Sequence, residues 1–258
     1  MKYIILILVF VLQLNAAIVK SPLISVDLEN DSATIKIDKI DLGMSGFISH
    51  EIADGHTVIL KKIEVSKFDA QNKIATLKMS PYEALANNAL PTGKWKVKIG
   101  DKATLAFGYT RGLLISPTEE IYHRITKSVK NLQWVHSDIF ATMISFNGHP
   151  TPLRKDFTEF SIATSVGLIF IYLEKKLYTL DAKSFKILAI TDAKLKQETP
   201  KLPFYTRVEE IDASWWGEGS DELTSYEPYY YELLSEANPN NKELQKIIDN
   251  FKEKDSND

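Results

Sequence analysis

Ile24-Ser-Val-Asp-Leu-Glu-Asn-Asp-Ser-Ala-Thr-Ile-Lys-Ile-Asp38 decides how the first half of this chain folds. Ile24 to Leu28 and Thr34 to Asp38 alternate apolar and polar residues, and Glu29 to Asp31 suits a turn between them. Successive side chains of a strand point to opposite faces, so a period of two broken by a polar turn predicts a hairpin. The pattern spreads outward from there. Phe47 to Ile52, Thr57 to Phe68 and Lys73 to Met79 continue it, punctuated by Gly43, Gly46, Gly55 and Gln71-Asn72. Lys94 to Ile99 leads through Gly100-Asp101 into Ala103 to Tyr109, then Leu113 to Ser116. Short strands with no long helix among them predict a small antiparallel β-barrel or sandwich over residues 18–116. Only Tyr82 to Ala89 reads as a short helix there.

From Pro117 the period changes. Acidic residues in the first turn at Glu119-Glu120, with Ile121, Ile125 and Val129 on one side, predict a helix. Ser137 or Asp138 suits the cap of a second helix that carries Ile139, Met143 and Ile144 and stops at Asn147-Gly148. Asp156 to Thr164 suits a third. Gly167 to Tyr172 is a continuous apolar strand, expected to be central and covered on both faces. Leu177 to Leu180, the turn Asp181 to Ser184, and Phe185 to Ile190 make a hairpin beside it, and Phe204 to Val208 suits an edge strand. Residues 117–213 thus read as an α+β unit with helices packed on an antiparallel hairpin sheet, and the chain as α+β. Residues 214–258 read as an acidic aromatic segment followed by a short charged helical tail, with Leu244, Ile247, Ile248 and Phe251 as its apolar stripe.

Met1-Lys2, the apolar run Tyr3 to Leu12, polar Gln13 to Asn15 and small Ala16-Ala17 have the order of a secretory signal peptide over residues 1–17. The run is about half the roughly twenty residues a bilayer-spanning helix needs. An uncleaved anchor is the alternative, because Asn15 is a poor third residue before a cut after Ala17. Export to the periplasm or outer surface follows, with peripheral membrane contact at most. The chain has no cysteine, so disulfides and thiolate metal sites are excluded. A net charge of −3 gives no electrostatic footprint for nucleic acid. Charge is nevertheless uneven, with nine carboxylates against Arg207 alone between Arg207 and Glu236, an asymmetry that serves solubility or partner choice.

No catalytic constellation emerges. His50-Glu51-Ile-Ala-Asp54-Gly-His56 gathers possible metal ligands, but its fourth-position residue is Asp54 and Gly55 marks a strand-to-strand turn, so a polar turn explains it. His136-Ser137-Asp138 has the letters of a nucleophilic triad, yet three adjacent residues cannot converge as one; a helix cap with His136 beside Trp134 fits better. There is no Walker loop, Rossmann glycine pattern or nucleophile elbow. No enzyme, metal site or cofactor is expected. Trp215, Trp216 and Tyr229 in the acidic segment are either interface side chains or a cover for the second unit's sheet.

Leu114-Ile-Ser-Pro117, Glu120-Ile-Tyr122, Ser137-Asp-Ile-Phe140, Asn147-Gly148, Leu153-Arg-Lys155, Ser165 to Phe170, Ser184 to Leu188 and Pro203 to Ala213 occur in collinear order. Gly46-Phe47, Leu90-Pro-Thr92 and Gly100-Asp101 join them from the first half. Together they resemble the plasminogen-binding protein N-terminal family of Gram-negative bacteria, over roughly Val26 to Ala213. The resemblance implies an exported surface protein that recruits host plasminogen through lysine side chains. A kringle lysine pocket offers carboxylates to an ammonium, aromatics to its stem and cations to a carboxylate, so an internal lysine needs a neighbouring acid to imitate a terminal one. Longer members carry a Lys/Glu-rich tail ending in lysine. Here Lys242 to Lys254 stands in that place, and Lys252-Glu253-Lys254-Asp255 is the best internal mimic. The alternative partner is another envelope protein, bound by a periplasmic structural or assembly factor without plasminogen activity.

Overall fold

The computed structural model describes residues 18–82, 95–196 and 199–255. The first half forms a closed antiparallel barrel from β1 (Val19–Asp27), β2 (Ser32–Lys36), β3 (Ser45–Ala53), β4 (His56–Asp69), β5 (Ile74–Pro81) and β6 (Lys102–Leu105), in the order β1-β2-β5-β4-β3-β6. Two hairpin turns share one chemistry. Asp27 Oδ1 accepts from the backbone N–H groups of Glu29 and Asn30, and Asp69 does the same with Gln71 and Asn72. In each turn the asparagine amide donates to the other carboxylate oxygen, which holds both acids below the usual carboxylate range. Closure needs Gly46. A Cβ there would lie 2.0 Å from the Thr104 carbonyl oxygen of β6, inside any van der Waals contact.

The alternation in β1 is shifted by a bulge. Register slips between Leu23 and Ser25, so the inward positions pass from Leu23 to Val26 and Ile24 is left exposed, while Leu28 is exposed in the turn beyond the strand. An extra residue in one strand reverses the faces beyond it. The helix expected at Tyr82 to Ala89 lies, beyond Tyr82, outside the described residues, as does the leader at 1–17.

The second sheet has the order β11-β10-β9-β7-β8, built from β7 (Arg111–Ile115), β8 (Gln133–Val135), β9 (Leu168–Leu173), β10 (Lys176–Asp181) and β11 (Ile187–Asp192). β9, β10 and β11 form the expected antiparallel meander, but β7 runs parallel to both β8 and β9. The stretch Leu113 to Ser116, which periodicity attached to the first sheet, therefore contributes β7 to the second. Helical crossovers make the parallel pairs possible. α1 (Glu119–Ser128) joins β7 to β8, and α2 (Ser137–Asn147) and α3 (Arg154–Thr164) precede β9.

β9 is buried at every position, and its alternation separates two cores. Leu168, Phe170 and Tyr172 join the barrel interior and α1 residues Ile121 and Ile125 in one cluster. Ile169, Ile171 and Leu173 join α2, α3, α4 (Tyr226–Ala237) and α5 (Lys242–Asp255) in the other. The sheet is thus a middle layer, covered on both faces as its apolar run predicts, and the whole is α+β. Asp181 fastens the layers together. Its buried carboxylate accepts from Ser45 N (2.9 Å), Ser45 Oγ (2.7 Å) and Tyr109 OH (2.8 Å) on one oxygen, and from Lys183 N and Ser184 N on the other. A buried carboxylate so fully satisfied costs little and fixes register.

Phe204 to Val208 is not a strand. Tyr205 N donates to Ser116 O, but Thr206 and Arg207 turn away to Asp138 of α2. Residues 226–237, read as loose, form α4.

Candidate functional site

α5 presents the predicted lysine tail. Leu244 and Ile248 are buried against the second core, with Ile247 and Phe251 partly buried beside them, as the stripe predicts. Beyond Phe251 the helix leaves the core. Lys252 and Glu253 are exposed, and Lys254 and Asp255 complete the last turn of α5. Spacing of three residues puts positions 252 and 255 one turn apart on a helix.

The acidic aromatic segment divides in two. Tyr229 lies on α4, half-buried, with its hydroxyl donating to Pro152 O at 2.5 Å and its ring 5.3 Å from Tyr230. Burial, first, and the carboxylate of Asp156, next, push that phenol above its usual range. It is a packing residue. Trp215 and Trp216 are 96% and 82% exposed. Burial therefore separates Tyr229, which is half-buried, from the two exposed tryptophans.

The tryptophans sit on a loop fixed at both ends. On the entry side, Asp212 N donates to Ser145 Oγ (2.9 Å), and Ser214 N donates to Gly148 O (3.0 Å). On the exit side, Thr151 N donates to Gly219 O (3.2 Å), and Thr151 Oγ1 donates to Asp221 O (2.7 Å). Gly148 makes the close approach possible. It is the left-handed C-cap of α2 at φ 73°, and a Cβ on it would lie 2.6 Å from Ser214 Cβ. Two residues before it, Phe146 is 92% exposed, and Ile139, two stripe positions earlier on α2, is 54% exposed. Sequence reading grouped Ile139 and Met143 with Ile144 and missed Phe146. The signal was there: Ile139, Met143 and Phe146 recur at i, i+4 and i+7, whereas the buried face is Phe140, Ala141 and Ile144.

The segment leading to the tryptophans is strapped along α2. The Asp138 carboxylate accepts from Thr206 Oγ1 (2.8 Å), Arg207 N (2.8 Å) and Arg207 Nε (2.6 Å). Burial alone would raise it, but these hydrogen bonds prevail and hold it at about 2. His136, not Ser137 or Asp138, caps α2: its Nδ1 accepts from Asp138 N at 3.1 Å. The same nitrogen is 3.2 Å from the Asp138 carboxylate, a spacing that would be an ion pair if the ring were charged. A nitrogen accepting an N–H carries no proton, so this cap uses the ring's neutral form. Its burial, chiefly, lowers its pKa, in agreement. Ser137 Oγ donates instead to Tyr205 O (2.7 Å), and His136 packs 4.8 Å from Tyr122, not against Trp134. With its hydroxyl committed to Tyr205 O, Ser137 forms no relay with His136 and Asp138.

His50 and Asp101, distant in sequence, meet at 2.6 Å beside a shallow cleft of about 250 Å³. Lys98 N donates to the second Asp101 oxygen (2.9 Å), so the carboxylate orients the ring. Ser49 Oγ, the adjacent hydroxyl, faces Lys102 O, so no nucleophile is aligned with the imidazole. Asp54-Gly55 is the two-residue turn between β3 and β4. Among the described residues, no three His, Asp or Glu side chains converge as metal ligands.

A family model described as plasminogen-binding protein PgbA N-terminal matches residues 18–234. Two curated relatives are similar over 213 residues, each named plasminogen-binding protein PgbA and each from Helicobacter pylori. The protein of strain J99 is 28% identical and that of strain 26695 is 27% identical. In both cases the match covers 81% of this chain and 46% of the relative, so the chain spans about half the length of the curated relatives it matches. No solved structure matches. The barrel, the middle sheet and most of α4 fall inside the matched span, and this chain belongs to the plasminogen-binding protein PgbA N-terminal family.

Proposed function

We propose that this chain is an exported, non-enzymatic binding protein of the cell envelope or surface, and that it recruits host plasminogen through lysine side chains. The observation that carries this reading is the end of α5, where Lys252 is exposed directly after Phe251, which packs on the second core, and is followed in sequence by Glu253. An ammonium with an acid beside it offers a lysine-binding pocket both charges of a free lysine. The relatives' name supplies the partner; the helix supplies a presented lysine. The test is binding of the purified mature protein to immobilised plasminogen with and without a soluble lysine analogue. Saturable binding abolished by the analogue, and lost in a Lys252→Ala/Lys254→Ala variant, supports the reading. Binding that persists unchanged in that variant sinks it.

A second reading is favoured by a different observation, the exposed Trp215-Trp216 pair. In it the chain is a periplasmic structural or assembly factor that binds another envelope protein through its globular body. Absence of plasminogen binding, together with a stoichiometric envelope partner that survives the lysine substitutions, would favour this alternative.

A further inference from the structure

We propose that Trp215 and Trp216, with Phe146 at the end of α2, form a docking surface for a basic, amphipathic segment of another protein. The surface uses none of the α5 lysines and does not rest on the plasminogen reading. Its apolar part is large. Buried aromatic side chains each contribute about 150–250 Å², so these three offer roughly 450–750 Å² against the ~800 Å² that each partner gives to a standard interface. Leaving two adjacent tryptophans in water forgoes that burial, and exposed apolar patches of this size mark contact sites. The platform is also preorganised. The bonds of Ser214 to Gly148 and of Thr151 to Gly219 and Asp221 fix the loop before any partner arrives, which reduces the ordering cost of binding.

Charge selects the occupant. Between Val208 and Glu222 the carboxylates of Glu209, Glu210, Asp212, Glu218, Asp221 and Glu222 are all exposed, and the stretch contains no lysine or arginine. α2 carries no lysine or arginine, and its one acid, Asp138, is offset by Arg207. Arg207, at the head of the stretch, is committed to Asp138. A second copy of this chain would bring the same acidic rim and be repelled, as would an anionic membrane. A cationic segment gains from the rim, and its apolar residues or the stems of its lysines cover the rings, with cation–π attraction to the indoles.

The experiment titrates the full chain with a Lys/Leu amphipathic peptide and with its Glu/Leu counterpart, read by tryptophan fluorescence and by anisotropy of labelled peptide. The expected result is saturable binding of the basic peptide, weakened by salt, and no saturable binding of the acidic one. Trp215→Ala/Trp216→Ala should weaken the basic peptide about tenfold or more with an unchanged melting midpoint. Glu209→Gln/Glu210→Gln/Glu218→Gln, which keeps both rings, should weaken it as well. Lys252→Ala/Lys254→Ala should leave it unchanged, which separates this surface from the tail. The proposal is overturned if neither peptide binds, if both bind equally, or if the tryptophan variant binds as tightly as the parent. A dimer in sedimentation that the tryptophan substitutions dissolve would reassign the surface to self-association. Binding to zwitterionic lipid vesicles lost in that variant would reassign it to a membrane.

Discussion

Trp215-Trp216 and the tyrosines of α4 lie in one acidic, aromatic-rich stretch, yet they meet opposite fates. Tyr226, Tyr230 and Tyr231 are among the largest fully buried side chains, whereas the tryptophans are nearly bare. Composition does not separate them; spacing does. Tyr226, Tyr230, Leu233, Leu234 and Ala237 recur at helical intervals, so one face of α4 can be laid against β9 and β10. Pro228 falls in the first turn, where its missing N–H is not needed. Two aromatics in succession, flanked by Gly217 and Gly219, have no periodic partners and cannot share a face. The lesson is that an aromatic cluster belongs to the core when its neighbours repeat with it, and to the surface when they do not.

The contrast can be broken from the buried side first. Tyr230→Ala should cost about 3–5 kcal/mol of unfolding free energy, measured by denaturant titration, because the ring is fully buried and its hydroxyl donates to Pro203 O at 2.9 Å. A loss below about 1 kcal/mol would mean that α4 is not docked. Hydroxyl deletions sharpen the comparison within the helix. Tyr230→Phe should cost about 1 kcal/mol by removing that bond. Tyr226→Phe should be neutral or stabilising, since the buried Tyr226 hydroxyl has no partner among the described residues.

Acid offers a gentler handle on the strap that leads to the tryptophans. His136 titrates lower in the folded chain than unfolded, through burial first, against the opposing pull of Asp138 and with Arg207 and His123 nearby. The unfolded chain therefore binds more protons as pH falls through 6.5. The stability that His136 contributes is complete above that pH and declines toward its lower folded value. Denaturant midpoints at neutral and acid pH should show this decline, and His136→Asn, which can still cap α2, should flatten it. The smallest effect belongs to the exposed pair: Trp215→Ala/Trp216→Ala should change unfolding free energy by no more than about 0.5 kcal/mol. A larger loss would show that the loop supports the fold and would remove the contrast.

Much of the architecture was legible in the residues. The barrel hairpins, α1, the stop of α2 at Gly148 and the two-faced burial of β9 followed from period, turn chemistry and caps. β7 was misassigned because Leu113 to Ile115 is apolar throughout, and such a run does not reveal which sheet its hydrogen bonds join. α4 was missed as a helix because carboxylates interrupt its apolar face, although its tyrosines do cover the second sheet, one of the two roles open to them. Of the named site residues, Lys252 and the tryptophans were found exposed, and Tyr229 was not. Phe146 escaped notice because α2 carries apolar residues on more than one face.

What the sequence determined by itself is local: where strands turn, where helices begin and stop, and that a cysteine-free chain must be held by its core. The family, too, was recognisable from collinear motifs. Tertiary structure alone decided that β7 crosses to the second sheet, that Asp181 receives the barrel's Ser45 and Tyr109, that His50 meets Asp101, and that the tryptophans stay in water. The reason is physical. Periodicity and capping act over a few residues, whereas burial and hydrogen-bond pairing between Ser45 and Asp181 act across 136 positions of chain and exist only once the layers have packed.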